Sequence, residues 1–173
     1  MDFESIIRNI PDFPKPGIQF KDITTLLKNA EAFHEVIDIW KSRYTGKNID
    51  AIVGAEARGF IFGSALAYAM GLPFIPVRKP GKLPAETIRE NFELEYGTDS
   101  LEIHIDALKK GDRVVLVDDL LATGGTMAAI CRMMERLGAE IEEILFLIEL
   151  VPLKGRERLA PYPVYALVQT MLA

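Results

Sequence analysis

Across residues 29–44 the apolar positions Ala32, Phe33, Val36, Ile37, Ile39 and Trp40 recur three and four apart, while Glu31, Glu35, Asp38 and Lys41 occupy the rest of the wheel. That spacing predicts an amphipathic helix with one buried stripe. The pattern then changes character. Asp50-Ala-Ile-Val-Gly54 is a short apolar run ending in glycine, residues 55–59 read as a turn, and residues 60–70 read as an apolar helix. Strand-like runs recur at residues 74–77, 113–117, 141–149 and 164–168, with a further helical stretch at 126–137. Strands alternating with helices imply parallel pairing through right-handed crossovers. The expected fold is therefore a three-layer α/β domain with a central, mostly parallel sheet and helices on both faces. Ligands of such domains bind beyond the carboxyl ends of the strands.

Two stretches do not fit a simple alternation. Residues 60–77 hold no charge over eighteen positions, the length at which a membrane span has to be weighed. Gly63, Gly71, Pro73 and Pro76 interrupt that run, and Gly71 and Pro73 are stop signals after a helix, so a buried helix followed by a buried strand is the better reading. Residues 79–100 show no clear period until Leu94, after which Leu101, Ile103 and Ile105 alternate. About twenty such residues inside a compact domain are commonly a functional loop, and a flexible lid is expected here. No repeat or linker-like composition divides the chain, so residues 1–173 are expected to form one domain.

Composition narrows the partners. The 173 residues are 49% hydrophobic and 26% charged, enough for an independent core without disulfides. Twenty Lys and Arg against 25 Asp and Glu give a net charge of -5, which argues against a general coat for nucleic acid or an anionic membrane. Six acids between Glu90 and Asp106, with no Lys or Arg among them, carry -6 of it, so the rest of the chain sums to +1 and leaves room for a local cationic clamp. The lone Cys131 allows neither an internal disulfide nor a four-cysteine zinc site, and a reducing, cytoplasmic setting is expected. The N-terminal residues lack the basic and apolar pattern of a signal peptide. His34 and His104 are expected to face solvent, and Met133 and Met134 to lie in the core.

The densest chemistry lies in Val114-Val-Leu-Val-Asp-Asp-Leu-Leu-Ala-Thr-Gly-Gly-Thr126. Four aliphatic residues make a buried strand, Asp118 and Asp119 follow at its carboxyl end, and a small-residue loop leads into a helix. Gly124 and Gly125 let the backbone approach a ligand, and Thr123 and Thr126 add hydroxyls beside the unpaired amides of the helix start. This is a nest for one phosphate group. The loop has no lysine, so it is not a Walker A motif. Two carboxylates beside such a nest suit sugar hydroxyls or a water-bridged Mg²⁺ rather than the phosphate itself. A ribose 5-phosphate group satisfies both halves, whereas the plain alternative is a pair of acids complementing a helix dipole.

At these residues the sequence resembles the type I phosphoribosyltransferases. Four segments carry the resemblance: Pro11-Asp-Phe-Pro-Lys-Pro-Gly-Ile-Gln-Phe-Lys-Asp-Ile23, Glu56-Ala-Arg-Gly-Phe60, Val77-Arg-Lys-Pro-Gly-Lys-Leu-Pro84 with Leu94-Glu-Tyr-Gly97, and Asp118-Asp-Leu-Leu-Ala-Thr-Gly-Gly-Thr126. The last indicates the fold; the first and third point to the family's adenine branch of bacterial type. The resemblance implies transfer of phosphoribose from Mg²⁺-bound phosphoribosyl pyrophosphate to N9 of adenine, giving AMP and pyrophosphate. It also implies that Ala122, Thr123, Gly124, Gly125 and Thr126 hold the 5-phosphate and Asp118 and Asp119 the ribose hydroxyls. Arg58, Arg78, Lys79 and Lys82 would neutralise pyrophosphate, some of them possible donors across the interface of a homodimer. Phe20 and Leu120 would sandwich adenine, with main-chain groups near Gln19 and Lys21 reading its edge, in an N-terminal base-recognition segment of about residues 1–28. Glu95 would assist the proton at the base. Lys21 stands where many relatives carry arginine.

Those roles are chemically coherent. Breaking the bond from ribose C1 to pyrophosphate develops positive charge on the sugar and negative charge on the leaving group, which carboxylates and cations respectively stabilise. An open site would expose the sugar cation to water, which is the reason for a lid over residues 79–100. Two other readings remain open from the sequence: transfer to hypoxanthine, guanine or xanthine, and a non-enzymatic regulator on the same scaffold.

Overall fold

The computed structural model describes residues 1–94 and 97–171. The chain begins with helix α1 (Phe3–Ile6), the strands β1 (Arg8–Pro11) and β2 (Gln19–Asp22), and helices α2 (Thr24–Leu27) and α3 (Ala30–Ser42). There follow β3 (Ala51–Ala55), α4 (Arg58–Met70), β4 (Phe74–Val77), β5 (Thr87–Leu94), β6 (Gly97–His104), β7 (Arg113–Leu121) and α5 (Gly125–Leu137). Strand β8 (Glu140–Leu150), a 3-10 turn (Val151–Leu153), α6 (Gly155–Arg158) and β9 (Val164–Thr170) complete it. The central sheet has the order β4-β3-β7-β8-β9, with every neighbouring pair parallel.

Local chemistry explains the helix bounds. Asn29 caps α3 by accepting the Ala32 amide at 3.1 Å, and the stripe Ala32, Val36, Ile37 and Trp40 is buried as its spacing requires. Helix α4 stops at Gly71, whose left-handed φ of 67° admits the terminal turn that a side chain resists. Among the described residues no helix is long and apolar enough to cross a membrane.

Each sheet face has its own core. On one, α3 and α4 with the N-terminal elements pack Trp40, Phe62 and Leu66 against Ile52, Val115, Val117 and Leu145. Helix α4 lies close to β3 because both lack side chains at the crossing. A methyl on Gly54 or on Gly63 would fall 2.7 Å from Cε1 of Phe74, whose ring occupies that shared space. Phe60 meets the same ring edge to face at 5.6 Å.

The other face corrects the expected picture. Helix α5 covers part of it with Met127, Ile130, Met133 and Met134, and the remainder is closed by a hairpin of β5 and β6 that contributes Phe92, Leu101 and Ile103. The stretch read as lacking a regular element therefore pairs from Thr87↔His104 to Leu94↔Gly97. Its alternation is masked by Glu90, a part-buried acid that lies 3.6 Å from Arg132 and 3.7 Å from Arg136 of α5. A second correction concerns β7, which runs past Val117 to Leu121 because β8 keeps supplying partners, Leu120↔Ile148 and Leu121↔Glu149. His34 is exposed as expected, whereas His104 is half-buried and accepts the Ala85 amide at 3.3 Å.

Candidate active site

Beyond the carboxyl ends of β3 and β7 lies a cleft of about 580 Å³. Its floor is Asp118, Asp119 and Leu120, its far wall is residues 122–126 with Met127, and Glu56, Ala57 and Arg58 from the β3-α4 turn face them. Phe92, Leu94, Asp99 and Leu101 of the hairpin, with Lys79, close the remaining side.

The end formed by residues 122–126 is made of neutral donors. Gly124 precedes α5 with φ 89°, a conformation glycine adopts without strain, and no side chain caps the helix. The first amides of a thirteen-residue helix thus remain open beside the hydroxyls of Thr123 and Thr126, with the dipole's positive end toward the cleft.

At the floor, the Asp119 amide donates to Asp118 Oδ1 at 2.8 Å, and Arg58 Nε meets Asp119 Oδ2 at 2.5 Å. Burial, with the Asp119 carboxylate alongside, pushes the Asp118 carboxyl well above the usual range. The charge of Asp119 draws the Arg58 guanidinium above its ordinary value in turn.

The opposite end is cationic, but its charges are matched. Arg78 Nε donates to Glu56 Oε1 at 3.0 Å, and the Lys79 amide shares that oxygen at 3.2 Å. Burial raises Glu56, yet the Lys79 amide and Arg78 outweigh it and hold the carboxyl below its ordinary value. The Lys79 ammonium pairs with Asp99 of β6 across the cleft mouth, and that contact with the Ser100 amide lowers Asp99. The peptide bond between Glu56 and Ala57 is cis.

Of the residues singled out from the sequence, Arg58, Lys79, Asp118, Asp119, Leu120, Ala122, Thr123, Gly124, Gly125 and Thr126 line this one cleft. Arg78 stands just behind it on Glu56, and Lys82 is exposed on the following turn, near enough to Glu56 to lower it. Gln19, Phe20 and Lys21 do not line it. They sit on the β1-β2 ribbon, where Phe20 packs on Phe13 at 5.1 Å and Lys21 Nζ donates to Asn9 Oδ1 at 2.6 Å. Glu95 lies outside the described residues. Sequence reasoning missed Glu56 and Asp99, the acids that hold the cations, because a carboxylate's partner across the fold leaves no mark in local spacing.

No group of three or more His, Cys, Asp or Glu among the described residues could cage a metal. Asp118 and Asp119, adjacent on the cleft lining, are two carboxylates, the donor type through which Mg²⁺ commonly binds while keeping several waters.

Comparison with known proteins agrees with this geometry. The family described as "Phosphoribosyl transferase domain" matches residues 22–165. An adenine phosphoribosyltransferase of Roseiflexus sp. (strain RS-1) is 63% identical over 95% of each chain. A crystal structure of adenine phosphoribosyltransferase from Thermoanaerobacter pseudethanolicus superposes with a TM-score of 0.93 at 54% identity, covering 96% of this chain and 97% of that one. The Saccharomyces cerevisiae enzyme, complexed with an imino-altritol bisphosphate and adenine, gives 0.91 at 42% identity over 95% of each. Matched over most of its length by the family model and by these relatives, the chain belongs to the phosphoribosyltransferase family, in its adenine branch.

Proposed function

We propose that the protein transfers the phosphoribosyl group of phosphoribosyl pyrophosphate to N9 of adenine, releasing AMP and pyrophosphate. The observation that carries this reading is the cleft itself, which gathers the small-residue loop 122–126, the carboxylates of Asp118 and Asp119, and the cations Arg58 and Lys79 around one cavity. In the reaction the bond from C1 to the pyrophosphate oxygen breaks with its electron pair leaving on pyrophosphate. A nitrogen lone pair of adenine forms the new bond to C1, and the base gives up the N9 proton.

Residues 122–126 bind the 5-phosphate through amides and hydroxyls. Asp118 and Asp119 accept from the ribose hydroxyls and stabilise the positive charge that develops on the sugar. Arg58, Lys79, Arg78 and Lys82 neutralise the departing pyrophosphate, for which Arg58 and Lys79 must share or exchange their present acidic partners. Asp118 and Asp119 would hold Mg²⁺ through water, and the ion would supply further charge neutralisation for the departing pyrophosphate. Adenine lies against Leu120, with Phe20 and the backbone of Gln19 and Lys21 closing on it from the ribbon, and Glu95 handles its proton. The β5-β6 hairpin acts as the lid that keeps water from the sugar cation, and protection of residues 79–100 from limited proteolysis by phosphoribosyl pyrophosphate is the expected sign of it.

The working unit is a homodimer, an arrangement favoured by the outward Tyr68, 91% exposed, and Ile61 on α4. Sedimentation of a monomer at micromolar concentration contradicts it. The lone buried Cys131 suits a reducing, cytoplasmic setting. The decisive experiment incubates the protein, Mg²⁺ and phosphoribosyl pyrophosphate with each purine in turn. AMP from adenine is the expected product, and turnover only of hypoxanthine, guanine or xanthine overturns the assignment.

A further inference from the structure

The 122–126 loop carries no formal charge of its own, yet the group assigned to it is a phosphate dianion. The cations lining the cleft, Arg58 and Lys79, are held by Asp119 and Asp99 on the other side. A formal charge at the phosphate end would have to come from outside the lining residues, and the structure offers one from behind the loop.

Helix α6 is anchored there by a buried acid. Glu149, 4% exposed at the end of β8, accepts from Arg156 Nη2 at 2.6 Å and Nε at 3.2 Å and from Gln169 Nε2 at 3.0 Å, while Arg156 Nη1 donates to the Val164 carbonyl at 2.5 Å. This fork fixes the turn against the phosphate loop. A methyl on Gly155 would collide with the Ala122 carbonyl and lie 2.7 Å from Leu121 Cδ1, and one on Gly124 would lie 2.8 Å from the Gly155 carbonyl. The two backbones are therefore in direct contact. Three residues later comes Arg158, whose Cβ sits 3.4 Å from the space above Gly124 and whose Nη1 sits 3.2 Å from the space above Gly125, the first residue of α5. The side chain is exposed, and among the described residues it has no ion pair or hydrogen bond. An arginine held on an anchored turn, beside the open amides of a helix N-terminus and without an acidic partner among the described residues, is arranged to meet an anion.

We infer that Arg158 is a binding residue for the 5-phosphate of the ribosyl donor, positioned by the Glu149–Arg156 pair. The inference rests on the proposed reading of the 122–126 loop. Guanidinium charge adds to the neutral donors at the phosphate end only, so its loss acts on ligands that carry a ribose phosphate and spares free pyrophosphate.

The test titrates the full chain calorimetrically with ribose 5-phosphate and, separately, with Mg²⁺-pyrophosphate, in wild type, Arg158→Gln and Arg158→Lys. The glutamine variant is expected to bind ribose 5-phosphate about tenfold more weakly, as the loss of one exposed charge-assisted contact implies, with pyrophosphate affinity within twofold of wild type. Lysine is expected to recover most of the loss, and the KM for phosphoribosyl pyrophosphate to rise in Arg158→Gln with little change in kcat. Unchanged ribose 5-phosphate affinity in Arg158→Gln overturns the inference, as does an equal loss for both ligands, which marks a general charge effect. A wild-type protein that binds pyrophosphate but no ribose 5-phosphate overturns the reading of the loop as well.

Discussion

On the proposed reading, the two ends of the cleft hold an anion in opposite ways. Around residues 122–126 the donors are backbone amides and hydroxyls fixed by the start of α5, and nothing has to be displaced before a phosphate enters. Around Arg58, Arg78 and Lys79 the donors are full charges, each already matched by Asp119, Glu56 or Asp99. One end is preorganised by covalent geometry. The other is electrically balanced and becomes available only as ion pairs are shared with the ligand. Defects at the first should therefore act through shape and at the second through charge.

The strongest challenge to this contrast is Gly124→Ala. A methyl there meets the Gly155 carbonyl at 2.8 Å and the residue must keep φ near 89°. The left-handed conformation costs about 1–2 kcal/mol and overpacking about 1–3 kcal/mol. Urea unfolding is expected to register that loss of stability, and kcat/KM for phosphoribosyl pyrophosphate to fall by on the order of a hundredfold, since misplaced binding groups cost about that much. Near-wild-type kinetics in this variant contradict a rigid phosphate end.

A smaller effect is expected from Lys79→Met. The ammonium is 44% exposed and Asp99 is 30% exposed, so the pair itself contributes little to folding, about 0–1 kcal/mol. The KM for phosphoribosyl pyrophosphate should rise about tenfold through the lost charge, while the urea midpoint stays close to wild type. A large drop in stability with unchanged KM reverses the assignment of Lys79 from ligand to scaffold.

Smallest is a pH-dependent gain in Asp118→Asn. Because the folded state raises the Asp118 carboxyl, its proton stabilises the native protein below the ordinary aspartate range, and that contribution is lost as pH rises through the raised value. Asparagine cannot ionise, so the melting temperature of the variant should exceed that of wild type at pH 8 by more than at pH 4, even as turnover falls. Equal differences at both pH values show that burial and the neighbouring Asp119 do not raise the Asp118 carboxyl.

The preorganised end was legible in the sequence and the balanced end only half so. Aliphatic residues 114–117, then two acids and a glycine-threonine loop, announce a strand, its end and a helix start within thirteen consecutive positions. Cations such as Arg58 and Lys79 could be seen as candidates, but their partners come from segments 61 and 20 positions away. The hairpin escaped for a related reason: Glu90 sits where its strand needs an apolar residue, and the arginines that make it acceptable belong to α5. Helix α6 is four residues long and set by contact with Glu149, so nothing in its own composition announces it. The N-terminal segment of about residues 1–28 was expected to recognise a base; its Phe20 packs on Phe13 and its Lys21 bonds Asn9, away from the cleft lining.

The ring of Phe74, lodged between Gly54 and Gly63, has a reach beyond packing. It fills the space beside the α4–β3 crossing, and α4 begins at Arg58, so the width of the cleft at its charged end depends on a side chain that lies outside the cleft lining. Residues 54, 63 and 74 are consequently tied as a trio: a gain of volume at either glycine is tolerated only if the ring shrinks in the same step. Drift at these positions should be concerted, and trimming the ring offers a way to adjust the grip on pyrophosphate from inside the protein while every contacting residue is left in place.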